Sequence, residues 1–163
     1  MTVTIRAIQD SDIPVLWKLE ENMWTNDNTP NANQQLSFDA YEKSQKDREI
    51  LVAANDDSLL GFISYKNPTT MSSHSRQWEL GIGVAEEAQG QGIGKKLIAA
   101  VIEKARQQNI GKLSLRVMDS NPRARKSYEA LGFVREAHYK NEFWINNHWV
   151  DDYHYAYYLE DTL

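Results

Sequence analysis

Residues Gln89-Gly90-Gln91-Gly92-Ile93-Gly94-Lys95-Lys96 hold the clearest chemistry in this chain. Glycines at alternate positions strip side chains from a loop that opens a helix. The bare N–H groups and the positive end of the helix dipole then converge on one point. That point suits an anion, and above all the paired charges of a pyrophosphate. Tight helix packing is the more ordinary use of such glycines, and it makes no demand on the N–H groups.

Two phosphate-binding signatures fail on spacing. A P-loop places four residues between its glycines and ends in Gly-Lys-Ser/Thr. Here Gly90 and Gly94 enclose three residues, and Lys95 is followed by Lys96. A dinucleotide fingerprint reads G-x-G-x-x-G, whereas Gly90, Gly92 and Gly94 are one residue too tight.

The pattern that fits is Gln/Arg-x-x-Gly-x-Gly, met by Gln89, Gly92 and Gly94. Downstream, Asn121-Pro122-Arg123-Ala124-Arg125-Lys126-Ser127-Tyr128-Glu129-Ala130-Leu131-Gly132-Phe133 follows Asn-x-x-Ala-x-x-x-Tyr-x-x-x-Gly-Phe. In this order, with a helix and a strand between, the two runs resemble the GNAT superfamily of acetyl-CoA-dependent N-acetyltransferases. The resemblance is specific over about residues 79 to 133. It implies an α/β fold, a twisted mixed sheet flanked by helices, and direct transfer of acetyl to a primary amine in a ternary complex. The absence of cysteine agrees with a route that has no covalent acyl-enzyme.

The resemblance also assigns roles. Gln89, Gly90, Gln91, Gly92, Ile93, Gly94 and Lys95 would hold the pyrophosphate of acetyl-CoA. Ile82, Gly83 and Val84 would pair with its pantetheine arm, with an N–H near Val84 polarising the thioester carbonyl. Asn121 would cap its helix and touch the cofactor, while Arg125 and Lys126 stand near the adenosine phosphate or on a solvated face. Tyr128 would protonate the departing thiolate; its reference pKa of about 10 keeps it protonated at neutral pH. It shares a helix face with Ala124 and Leu131, the place of a core tyrosine.

An alkylamine with a pKa near 10.4 is almost wholly protonated at pH 7, so something must accept its proton. Glu79, on the strand before the loop, is the best-placed carboxylate by sequence, and a structural or exposed glutamate fits the position equally well. The acceptor side is expected among Trp17, Trp24, Asn26, Asp27, Trp144, His148, Trp149, Asp151, Asp152, Tyr153 and Tyr155. Of these, Trp24 and Asp27 are the expected substrate-binding pair. Aromatics beside carboxylates suit an ammonium or guanidinium group; the same residues suit a second core or a dimer surface. His74, His138, His148 and His154 lack metal-ligand spacing, so no metal is expected. A coenzyme A-binding module that has lost transfer is the competing class.

Elements must position these groups. Residues 3–8 alternate as a strand. Asp10 and Ser11 offer capping chemistry to a helix carrying Ile13, Val15, Leu16, Leu19 and Met23. Residues 25–33 read as a loop and 37–45 as a helix. Residues 49–54 and 59–65 read as a hairpin, and 77–84 as the strand feeding the glycines. After them, Leu97, Ile98, Val101, Ile102 and Ala105 share one helical face, with a stop at 109–111. A strand over 112–117 and a helix opened by Asn121-Pro122 and closed at Leu131-Gly132 follow. Strands over 134–145 and 149–159 end the chain, an aromatic hairpin that leaves a homodimer open.

At 163 residues the expectation is one domain spanning 1–163. Lys and Arg number 18 against 23 Asp and Glu, a net charge of −5 and a poor footprint for nucleic acid. No apolar stretch is long enough to cross a bilayer, and the start lacks the apolar run of a signal peptide. No membrane partner and a cytoplasmic location are the expectations.

Overall fold

The computed structural model describes residues 2–32 and 34–159. One seven-stranded mixed sheet, in the order β1-β2-β3-β4-β5-β7-β6, organises them. The strands are β1 (Thr4–Ala7), β2 (Glu49–Ala54), β3 (Leu59–Lys66), β4 (Gln77–Val84), β5 (Lys112–Met118), β6 (Val134–Ile145) and β7 (His148–Tyr158). Four helices cover it: α1 (Ile13–Glu20), α2 (Phe38–Gln45), α3 (Ile93–Gln107) and α4 (Pro122–Ala130). Asn33, at the end of the expected loop, lies outside the described residues. No helix among those described is long and apolar enough to cross a membrane.

β1 to β4 run antiparallel to their neighbours, and β4 then runs parallel to β5. The β4–β5 pairing stops early. Only Gln77, Trp78 and Glu79 are in register, with Lys112, Leu113 and Ser114, and from Leu80 onward the strands part. The sheet is therefore split at the end where the glycine loop leaves β4.

The two faces carry separate cores. Leu97, Ile98, Val101 and Ala105 of α3 pack with Leu51, Ile63, Leu80, Leu113 and Leu115. On the opposite face Leu16, Met23 and Tyr41 pack on Ile50, Val52 and Phe62 beneath α1 and α2. Residue alternation sends Glu79, Gly81 and Gly83 to this second face and Leu80, Ile82 and Val84 to the first.

The helix ends differ in their agreement with the sequence. Asn121 caps α4, its Oδ1 accepting the Ala124 N–H at 3.4 Å. Gly132, at φ 99°, closes the same helix: its N–H bonds the Glu129 carbonyl, and the Phe133 N–H bonds that of Tyr128. The accompanying apolar contact is Tyr128 against Phe133, ring centroids 5.8 Å apart. α3 ends by the same device with Asn109 at φ 59°. At α1 the expectation fails. Neither Asp10 nor Ser11 caps it; a single tight turn, Asp10–Asp12, precedes it. Asp12 instead accepts the Gln9 N–H at 2.8 Å and both Arg6 guanidinium donors, because β1 brings Arg6 alongside. Met23 lies beyond the helix, in the turn that follows.

Candidate active site

The glycine loop departs from a simple row of permissive residues. Gly90 and Gly92 take φ of 77° and 78°, where a side chain is strained, whereas Gly94 has ordinary helical geometry. Gly92 is the N-terminal cap residue of α3 and offers no side chain to it. Among the described residues, the N–H groups of Gly92, Ile93, Gly94 and Lys95 meet no acceptor. The Ile93 side chain is 1 % exposed and belongs to the core, so its amide is what faces the loop. These bare donors at a helix start make a cradle for a diphosphate.

A cation missed by sequence reasoning joins them. Arg123, in the first turn of α4, donates to Gln89 Oε1 at 3.5 Å, and its Nη2 lies 4.0 Å from the position a Gly90 Cβ would take. Arg125, expected near a phosphate, is occupied elsewhere: it stacks on Tyr153 at 4.6 Å and pairs with Asp119 at 3.4 Å. The helical period separates them, since two residues turn a side chain to the other flank of α4. Lys126 is exposed.

Next to the cradle, β4 presents an open edge. The Ala85 N–H bonds the Leu60 carbonyl, and the alternation of an antiparallel pair then commits Gly83 and Gly81 to β3 as well. The main-chain groups of Ile82 and Val84 therefore point toward the split, where the Val84 carbonyl accepts from Gln89 Nε2 at 3.4 Å. Gly83 serves a packing purpose. A Cβ there would lie 2.2 Å from Met23 Sδ, 2.8 Å from Phe62 Cε1 and 3.3 Å from the Trp24 ring.

Tyr128 is half-buried on α4, and its hydroxyl has no protein partner among the described residues. By contrast the hydroxyls of Tyr41, Tyr153, Tyr155 and Tyr158 each donate to a carboxylate. Burial pushes the Tyr128 phenol up to about 12. Glu79 stands at the last paired position of β4, on the α1–α2 face, opposite Ser114.

That face also holds a cavity of about 390 Å³, lined by Asn28 and Pro30 of the loop after α1 and by side chains of β5, β6 and β7. Trp24 stands near the split, its indole N–H donating to Glu20 Oε2 at 2.9 Å and its ring edge-on to Phe62. Asp27 contributes its carbonyl, which accepts from the Ser120 hydroxyl at 2.9 Å and ties the loop to the end of β5; its side chain is exposed. Of the other expected acceptor residues, Asp152 lines the cavity. Tyr153 and Tyr155 point into the opposite core, because β7 alternates. Trp144 and Trp149 meet edge to face at the hairpin tip, 59 % and 53 % exposed. Among the described residues no group of His, Asp and Glu is arranged to hold a metal ion.

Comparison with known proteins converges on one group. The profile of the acetyltransferase (GNAT) family matches residues 15–133. Spermidine N(1)-acetyltransferase of Vibrio cholerae is 26 % identical over 156 residues, covering 91 % of this chain and 88 % of that one. The crystal structure of smu.2055 from Streptococcus mutans superposes with a TM-score of 0.89 at 30 % identity, covering 96 % and 99 % of the two chains. The structure of yncA from Salmonella typhimurium, solved with acetyl-CoA, shares the fold at a TM-score of 0.84 and 19 % identity, covering 99 % and 96 %.

Proposed function

We propose a division of labour for this chain, which belongs to the acetyltransferase (GNAT) family and transfers an acetyl group to an amine. The bare amides at the start of α3 receive the pyrophosphate of acetyl-CoA, with Gln89, Gly90, Gln91 and Lys95 forming the walls and Arg123 adding charge. The open main-chain groups of Ile82 and the Val84 N–H take the pantetheine arm as a neighbouring strand would be taken. One observation carries this reading: unpaired helix-start N–H groups lie beside an unpaired strand edge. A phosphate-tipped, amide-containing arm satisfies both at once.

Bound acetyl-CoA supplies the thioester carbonyl that an amine attacks. The Val84 N–H points to where negative charge gathers on the acyl oxygen, an arrangement worth roughly 10²–10³ in rate. Tyr128 offers its unengaged hydroxyl to the departing sulfur. At about 12 its phenol is a weaker acid than a thiol in water at about 8.5. Sulfur held in equally dry surroundings is a stronger base than in water, which narrows that difference. Glu79 takes the amine proton, directly or through water. Asn121 starts α4 and so sets where Tyr128 stands.

A cationic amine acceptor fits the two carboxylates facing the cavity and the relative named for spermidine. Action as one domain in the cytoplasm, without metal, completes the proposal. Calorimetric titration with acetyl-CoA tests it, followed by thiol release with a panel of amines. Saturable binding and amine-dependent release are expected; binding without release for every amine, in wild type and Tyr128→Phe alike, overturns transfer.

A further inference from the structure

On the α1–α2 face the cavity has a floor whose side chains interlock. Arg116 Nε donates to Asp152 Oδ2 at 2.5 Å, Arg116 Nη2 reaches Glu142 Oε1 at 3.5 Å, and the guanidinium lies 4.3 Å from the Tyr139 ring centroid. Asp152 is 2 % exposed and lines the cavity; Arg116 engages its Oδ2, and among the described residues its Oδ1 has no protein donor. A carboxylate oxygen that opens on a cavity can accept from whatever donor occupies it. These residues are far apart in sequence; the register Met118↔Asp152 between β5 and β7 brings them together.

We propose that this cavity is the acceptor site, and that Asp152 receives one ammonium group of a small aliphatic diamine or polyamine. The proposal rests on the acetyl-transfer reading above. Arg116 holds both carboxylates in place. Its single positive charge against Asp152 and Glu142 leaves the lining one charge negative. An ammonium brings both the missing charge and the missing N–H donors. Met118, Phe143 and Pro30 give the cavity apolar walls suited to methylenes. An amino acid of the same length sets a carboxylate against Asp152 and Glu142, where like charges repel.

The geometry also leaves a second nitrogen in the right region. Extending the β4–β5 register places Met118 level with Gly83, across the split. Asp152, on β7, is then at least two strand spacings from the open edge of β4, about 10 Å or somewhat more. A linear diamine spans that distance once the hydrogen-bond contact to Asp152, about 3 Å, and the approach to the carbonyl carbon are added to its own length. Its free nitrogen forms the new N–C bond as the C–S bond of the thioester breaks. The proton from nitrogen passes to Glu79, and the sulfur takes a proton from the Tyr128 hydroxyl and leaves as the thiol of coenzyme A.

The test is calorimetric titration of enzyme saturated with free-thiol coenzyme A, using 1,4-diaminobutane, butylamine and 4-aminobutyrate. The diamine should bind at least about tenfold tighter than butylamine, with 4-aminobutyrate weakest. Asp152→Asn and Glu142→Gln should each erase most of that preference without changing affinity for coenzyme A. Tightest binding of 4-aminobutyrate, or an unchanged preference in both variants, overturns the proposal. Should Asp152→Asn fail to fold, the decision passes to Glu142→Gln, on the exposed part of β6, and to the wild-type ranking. Failure of coenzyme A itself to bind sinks the underlying reading instead.

Discussion

Tyr128 combines two properties that seldom occur together, burial and an unengaged hydroxyl. Tyr128→Phe therefore separates catalysis from stability. Activity at saturating substrates should fall about 10²-fold or more, while thermal unfolding shifts by no more than about 0.5 kcal/mol, since no hydrogen bond is lost. With its phenol near 12, loss of the proton costs activity only above that pH. A rate profile from pH 6 to 10 should rise as the amine deprotonates and show no descending limb from this residue. The adjoining glycine position gives a complementary test. A Cβ on Gly94 would meet Val84 and Ile82 at an ordinary 3.9 and 4.0 Å. Gly94→Ala should leave the fold as stable or up to about 1 kcal/mol more so, yet weaken acetyl-CoA binding by crowding the mouth of the split. A glycine kept for packing alone predicts no change in affinity. The helix start at the glycines, the Asn121 cap and the stop at Gly132 were legible in the sequence because each acts within one turn of its own helix. Arg123 could have been found by asking which basic residue of α4 shares a flank with the loop. Asp152 stood among the expected acceptor residues, but its contact with Arg116 could not be read, since nothing local announces a pairing created by strand register.

Among the elements, α4 shows why a motif can serve two ends. Its Asn-Pro start and Gly-Phe finish are stop and start signals in their own right, and the ring contact between Tyr128 and Phe133 belongs to the helix terminus. The tyrosine is thus fixed by the same device that ends its helix. α1 was less legible. Its expected caps sit idle because Asp12 finds Arg6 on a strand the local sequence does not reveal. The bidentate Arg6 contact, with help from the Gln9 N–H, holds the Asp12 carboxyl below its usual range despite burial. A depressed carboxyl stabilises the fold above its unfolded value of about 3.9, and this contribution is lost as pH falls through the lower folded value. Asp12→Asn should cost about 1–3 kcal/mol at pH 7. Below pH 4 the wild type should lose stability more steeply than the variant, as read by thermal melts across pH.

For the molecule as a whole, the order of elements along the chain followed from the alternation of patterns, whereas the placing of β7 between β5 and β6 and the early end of β4–β5 pairing carry no signature in any one strand. Open amides in the split and at the start of α3 make the folded state a better partner for ligand than any unfolded chain. Acetyl-CoA at a hundred times its dissociation constant should add about 2.7 kcal/mol and raise the melting temperature by about 5–10 °C. Hydrogen exchange should slow at Ile82, Val84 and Gly92–Lys95, and an unprotected pattern there would contradict the assignment of these amides.

Among the described residues, the strand pairing between the β1–β4 block and the β5–β7 block is three register pairs long. Those pairs act as a fulcrum at one end of a lever, and the free stretch from Leu80 to Val84 is an arm of roughly 16 Å. A tilt of about 4° between the blocks displaces its tip by about 1 Å. Changes at Gln77–Glu79 or Lys112–Ser114, remote from any reacting atom, are thereby magnified into the spacing between thioester and amine.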